Sequence, residues 1–132
     1  MRPTITTFLM FDGKAEEAMN SYVRLFKNSS VVSVQRYGPG EPGAEGSVKQ
    51  AKFSLNGREF MCIDSSGHNF SFTPAMSLFV DVNDEAELDA LFLALSVGGQ
   101  VLMPLGNYPF SRKFGWLADK FGVSWQLNLP NE

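Results

Sequence analysis

The chain reads as one succession of elements written twice: strand, helix, three strands. In the first half, Ile5 to Phe11 is rich in β-branched and aromatic residues and reads as a strand. Asp12-Gly13 stops it, and Asp12 is placed to cap a helix. From Lys14 to Phe26, Ala15, Ala18, Met19, Tyr22 and Phe26 fall on one helical face. Asn28, Ser29 and Ser30 end that helix, and Val31 to Tyr37 reads as the second strand. Gly38-Pro39-Gly40-Glu41-Pro42-Gly43 cannot be regular structure and is expected to be a mobile loop. Val48 to Leu55 and Arg58 to Asp64 are strands joined by Asn56-Gly57, a strong hairpin signal. Ser65-Ser66-Gly67-His68-Asn69 is a polar connection to the second half.

The order then recurs. Met76 to Val82 is a strand. Asp84 caps a helix whose apolar stripe is Leu88, Leu91, Phe92 and Leu95, and Gly98-Gly99 ends it. Gln100 to Leu105, Phe114 to Leu117 and Val123 to Leu129 are the remaining strands, the last two joined through Asp119 to Gly122. The two capping aspartates, Asp12 and Asp84, stand 72 residues apart. Side-chain identity between the halves is weak, so the repeat is one of architecture.

Eight strands and two helices define an α+β chain dominated by antiparallel hairpins. The 132 residues are expected to form one domain of two βαβββ modules, about 1–66 and 75–132. Side by side, the modules would make a curved mixed sheet, a half-barrel with its helices on the convex face. On the last strand, Val123, Trp125 and Leu127 point toward a helix, and Ser124, Gln126 and Asn128 point away. A polar row of that kind either faces solvent or lines a ligand cavity.

Composition removes several functions. Eleven basic and 14 acidic residues give a net charge of −3, with no basic stripe, so nucleic acid is not an expected partner. No run reaches the ~18 apolar residues of a membrane helix. The first residues lack the pattern of a secretory leader, which makes a cytoplasmic location the expectation. One cysteine, Cys62, excludes a disulfide framework within the chain and reads as a buried small hydrophobe.

Three stretches carry a resemblance: Phe11-Asp12-Gly13-Lys14-Ala15-Glu16-Glu17-Ala18 leading to Tyr22 and Leu25-Phe26; Phe72-Thr73-Pro74-Ala75-Met76-Ser77-Leu78; and Phe114-Gly115-Trp116-Leu117-Ala118-Asp119-Lys120-Phe121-Gly122-Val123-Ser124-Trp125-Gln126. With the paired modules, they resemble the vicinal oxygen chelate superfamily (glyoxalase, bleomycin resistance and dioxygenase proteins), and within it the PhnB-like branch often labelled 3-demethylubiquinone-9 3-methyltransferase. The resemblance implies the paired-module fold and a homodimer. In metal-dependent members it implies a divalent ion held by His and Glu side chains on the inner strands. Here Gln126 stands at the position of the last-strand Glu and Ser77 at that of the usual His, while the first strand offers only Thr6 and Thr7.

A neutral carboxamide replaces a carboxylate poorly on a hard cation, and the chain has one histidine. The reading is therefore no metal and no cofactor. A small organic ligand is expected in the concave cavity, lined by Thr7, Ser77, Phe79, Tyr108, Trp116 and Gln126. His68, with Asp64 four residues upstream, is a weak candidate general base. The alternative is a metal-dependent enzyme of the glyoxalase or dioxygenase type using Asp64, His68 and Gln126. The methyltransferase label lacks chemical support in the sequence, because no glycine-rich turn follows a strand.

Overall fold

The computed structural model describes residues 2–65, 67, 68 and 70–131. Ser66 and Asn69, part of the polar connection between the halves, lie outside the described residues. The chain divides into two compact units, 1–70 and 71–132. The first holds β1 (Thr7–Phe11), α1 (Ala15–Leu25), β2 (Ser30–Arg36), β3 (Val48–Leu55) and β4 (Arg58–Asp64). Its sheet runs β1-β4-β3-β2, with β1 parallel to β4 and the other pairs antiparallel. The second holds β5 (Ser77–Asp81), α2 (Glu85–Ser96), β6 (Gln100–Tyr108), β7 (Ser111–Ala118) and β8 (Ser124–Leu129). Its order is β5-β8-β7-β6, again with one parallel pair, β5 with β8. Two βαβββ modules with mixed four-stranded sheets are the α+β architecture expected from the sequence.

In the first unit, α1 buries Ala15, Ala18, Met19 and Tyr22, the stripe read from the sequence. The Tyr22 ring lies 6.5 Å from Phe53, which stacks on Phe60 at 5.3 Å. Burying each of these large side chains contributes on the order of 1.5–3 kcal/mol. The helix start departs from expectation. Asp12 does not cap it; Lys14 occupies the N-cap position without a side-chain bond. Asp64, at the end of β4, takes the first helical amide instead: Ala15 N–H donates to its Oδ1 at 2.9 Å. Val48 N–H donates to its Oδ2 at 2.9 Å. One buried carboxylate thus ties β4 to the start of α1 and the start of β3.

The Gly-Pro segment also differs from a mobile loop. Tyr37 N–H donates to Ser47 O, and Gly46 N–H donates to Tyr37 O, both at 2.9 Å. Gly38 N–H donates to Glu41, which also pairs with Lys49. The Tyr37 ring lies against Gly43, where an added Cβ would come within 2.2 Å of it. Proline and glycine exclude helix and sheet here, but these bonds still fix the loop. At Asn56-Gly57 both residues have positive φ (49° and 87°), as a type I′ hairpin turn requires.

In the second unit, Asp84 caps α2 as expected, its Oδ1 accepting from Glu87 N–H at 2.8 Å. Leu88, Leu91, Phe92 and Leu95 are buried. The Phe92 ring fills the space over Gly115, where a Cβ would lie 2.4 Å from the ring. The sixth strand runs three residues past its expected end, through Gly106 to Tyr108, and it includes Pro104. It lies at the sheet edge with repeated register shifts, the position where a strand tolerates proline. No helix among the described residues is long and apolar enough to cross a membrane.

Candidate functional site

Period-two alternation sorts the second sheet into two faces. Trp125, Leu127 and Leu129 of β8 are buried toward α2. On the opposite, open face, Ser124, Gln126 and Asn128 stand in register with Ser77, Phe79 and Asp81 of β5. On the other side they face Ala118, Trp116 and Phe114 of β7. The division read from the β8 sequence holds.

A polar network crosses this face. Trp116 Nε1–H donates to Ser124 Oγ at 2.8 Å. The Ser124 and Ser77 hydroxyls share a hydrogen bond at 2.6 Å. Gln126 Nε2–H donates to Ser77 Oγ at 3.2 Å. Ser124, at 1% exposure, is the buried hub, and Gln126, Ser77 and Trp116 are half-buried around it. These bonds use one of the two hydroxyl protons and one of the two Gln126 N–H groups. A serine proton, one carboxamide N–H and the carboxamide oxygen remain for another molecule.

Two residues along, Asn128 Nδ2–H donates to Asp81 Oδ1 at 2.8 Å. That bond fixes the amide, because the flipped orientation would set two oxygens against each other. It leaves Asn128 Oδ1 buried with no hydrogen-bond partner. An orphaned buried acceptor costs about 1–3 kcal/mol until a donor reaches it.

Beside the polar row lies an aromatic group. Phe114, 3% exposed, is its centre. Phe110 and Tyr108 meet it edge-on at 5.0 and 5.9 Å, and Phe79 meets it tilted at 6.3 Å. Tyr108 also stacks on Phe110 at 5.5 Å and donates its hydroxyl to Pro104 O at 2.8 Å. Phe79 and Phe110 remain 56% and 60% exposed, large for phenylalanine. The structure therefore brings Ser77, Phe79, Tyr108, Trp116 and Gln126 onto one face. Phe114, Phe110 and Asp81 belong to it too. Counting by twos from Trp116 and Phe79 finds the first and last of these; Phe110 sits in the β6–β7 turn, where no period reaches.

Thr7 lies on the first sheet, in the first unit. It pairs with Phe60 and shares the α1 side of that sheet with Leu9 and Phe11. Its Oγ1 accepts from Arg58 at 2.8 Å. The structure does not bring Asp64 and His68 together as base and orienter. Asp64 is 4% exposed with both oxygens on backbone amides, while the exposed His68 ring stacks on Phe70 at 5.3 Å. Cys62 is fully buried, as read from the sequence. Burial, with the Asp64 carboxylate nearby, pushes its thiol up to about 12. Among the described residues, no group of three or more His, Cys, Asp or Glu could hold a metal ion.

The paired βαβββ modules are those of the glyoxalase/bleomycin resistance/dioxygenase fold. A domain of that description from Frankia sp. EAN1pec, 14% identical, superimposes with a TM-score of 0.67 over 99% of each chain; it speaks for the fold alone. A family model described as 3-demethylubiquinone-9 3-methyltransferase matches residues 3–128, and the chain belongs to that family. It is similar to a PhnB protein from Bacillus cereus, 62% identical over 96% of this chain and 99% of that one, with a TM-score of 0.93. It is also similar to protein PA1353 from Pseudomonas aeruginosa, 27% identical over 99% and 100%, with a TM-score of 0.87. No curated protein matches the chain. The PhnB-like resemblance read from the three sequence stretches is borne out.

Proposed function

We propose that this chain is a metal-free binding protein for a small organic molecule, which it takes on the open face of the second sheet. The observation that supports this most directly is the network joining Trp116, Ser124, Ser77 and Gln126. It presents unused donors and acceptors beside exposed aromatic rings, the mix of apolar wall and few fixed polar groups that ligand sites use. The orphaned Asn128 Oδ1 on the same face adds an acceptor in want of a donor.

Neither group implied by the fold and the family description fits the residues. A divalent ion would need carboxylate or imidazole donors, and the face has Gln126 and Ser77 at the relevant strand positions. A nucleotide-like methyl donor would use a helix N-terminus with free amides. In each helix one first-turn amide, of Ala15 in α1 and Glu87 in α2, already donates to Asp64 and Asp84, and both first turns carry glutamates that would repel an anionic group. The methyltransferase description is therefore not carried to this chain as an activity. A homodimer is part of the proposal, supported by exposed apolar side chains such as Ile5, Leu93 and Val97. So is a cytoplasmic location, supported by a buried free cysteine suited to a reducing compartment.

The test compares wild-type protein with Gln126→Leu. Both are purified natively, denatured, and analysed by mass spectrometry for released small molecules. A compound retained by wild type and lost from the variant, with unchanged circular dichroism, is the expected result. Equal retention by the two proteins would remove Gln126 from the site.

A further inference from the structure

The open face of the second sheet has a negative end beside its aromatic rings, and that end restricts the class of ligand; the inference rests on the binding reading above. Asp81, Asn128 and Phe114 stand in one row across β5, β8 and β7. The exposed Asp81 carboxylate accepts from Asn128 Nδ2–H through Oδ1, at 2.8 Å. Its Oδ2 takes no hydrogen bond, and no lysine, arginine or histidine among the described residues forms an ion pair with it. Arg112, on this face of β7 by alternation, is engaged with another group, and that group is not Asp81. An exposed carboxylate alone would mean little. The second observation is Asn128 Oδ1, which is buried in the same row with no hydrogen-bond partner. The carboxylate holds the amide nitrogen on its own side, so the oxygen is turned away from Asp81 and its identity is fixed. Closed to water and without a donor, that carbonyl keeps its full negative pole.

The rings adjoin these oxygens. Phe114 is in register with Asn128, and Phe79 and Phe110 lie 6.3 and 5.0 Å from it. Both of the latter are more than half exposed. Adjacent strands are about 4.8 Å apart, so Asp81 and Phe114 lie about 10 Å apart at the backbone, within the length of one small molecule. The ring faces attract positive charge as well as apolar surface. A carboxylate, a carbonyl and aromatic faces thus share one preference, for a cation that can donate hydrogen bonds. An anion here would meet two oxygens with no donor of their own to offer, and a neutral molecule would use the rings but leave the charge of Asp81 unmatched. From the uncompensated carboxylate, the orphaned carbonyl and the exposed rings beside them, we infer that this face takes organic amines as ammonium ions, with the ammonium at Asp81 and an aromatic or apolar body against Phe79 and Phe110.

The test uses 2-phenylethylamine, a cation, with 2-phenylethanol, its neutral counterpart, and 3-phenylpropionate, an anion of similar size. Each is titrated into the ¹⁵N-labelled full chain. The Asn128 side-chain NH₂ signal reports the charged end of the face, and the Trp116 indole N–H signal its centre. The indole signal of Trp125, 1% exposed and bonded to Asp119 at 2.9 Å, is the internal control. The amine is expected to move the Asn128 signal and leave Trp125 in place. It should bind about tenfold more tightly than the alcohol, the gain of a charged over a neutral donor. The anion should bind more weakly than either. Asp81→Asn, which keeps the shape and removes the charge, should erase the advantage of the amine over the alcohol. If the alcohol or the anion binds as tightly as the amine, or if the advantage survives in Asp81→Asn, the amine assignment is wrong while the binding face stands. If none of the three moves the Asn128 or Trp116 signal, the face is not a site for such molecules and both readings fall.

Discussion

Replacing Asp64 with alanine should destabilise the chain far more than the loss of an exposed carboxylate. Its two oxygens accept from Ala15 N–H and Val48 N–H, each at 2.9 Å, and the two residues donating those amides are 0% and 1% exposed. Water cannot easily replace the carboxylate at either amide. Loss of the bond at the first turn of α1 is loss of a helix cap, about 0.5–2 kcal/mol. The orphaned Val48 amide costs a further 1–3 kcal/mol or so. The combined effect is about 1.5–5 kcal/mol, a fall of roughly 5–20 °C in Tm for a chain of this size. Asp12→Ala supplies the contrast. A helix-start reading of the sequence gives Asp12 the capping role, yet that role belongs to Asp64. Its loss should cost under about 0.5 kcal/mol, as for an ordinary surface position. Urea unfolding followed by circular dichroism measures both variants. Equal losses from Asp12→Ala and Asp64→Ala, or a loss below about 1 kcal/mol from Asp64→Ala, would refute the clamp.

Gly115→Ala should destabilise by about 1–3 kcal/mol, since the new methyl would lie 2.4 Å from the Phe92 ring and 2.9 Å from Leu105; thermal unfolding reads this, and a neutral result would show that α2 shifts freely on its sheet. Cys62, with its thiol pushed up to about 12, should resist Ellman's reagent at pH 8 in the folded chain and react once in urea. Fast reaction without denaturant would contradict its burial. The Arg36 guanidinium, bonded to Glu16 at 2.6 and 2.8 Å, holds the Glu16 carboxyl below its ordinary value of 4.5. A lowered folded-state value means the pair stabilises above pH 4.5 and loses that contribution as pH falls through the depressed value. Both side chains are 45% exposed, so water and salt screen the pair, and the pH profiles of wild type and Arg36→Gln should differ only slightly, with wild type the more stable above pH 4.5.

How far the sequence is legible depends on where each residue's partner lies. The faces of β8 follow from alternation alone, and α1 and α2 from apolar spacing, because these signals are local. The Asn56-Gly57 hairpin is legible for the same reason. The clamp at Asp64 is not, because its two partners lie 49 and 16 residues away in sequence and no local pattern joins them. The Gly-Pro loop is fixed by the Tyr37 ring over Gly43 and by the Glu41–Lys49 pair, contacts that composition does not report. The strand over Gln100 to Leu105 is legible with Pro104 inside it; its continuation through Gly106 to Tyr108 is not, because the shifted register of an edge strand leaves no local pattern. On the face proposed as the site, Gln126, Ser77, Phe79, Tyr108 and Trp116 are legible from alternation and family resemblance. Ser124 is legible only as one of a polar row; its place as the hub between an indole and a second hydroxyl needs three strands in register.

The central claim is that Gln126 and Ser77 make an organic, not a metallic, site. Elemental analysis of tag-free protein by inductively coupled plasma mass spectrometry tests it most directly. The protein is to be purified without chelator, then incubated with zinc, nickel, iron or manganese and passed through gel filtration. The account predicts only trace metal in every sample. Near-stoichiometric retention of one ion, lost in Gln126→Leu, would contradict it and return the face to metal chemistry.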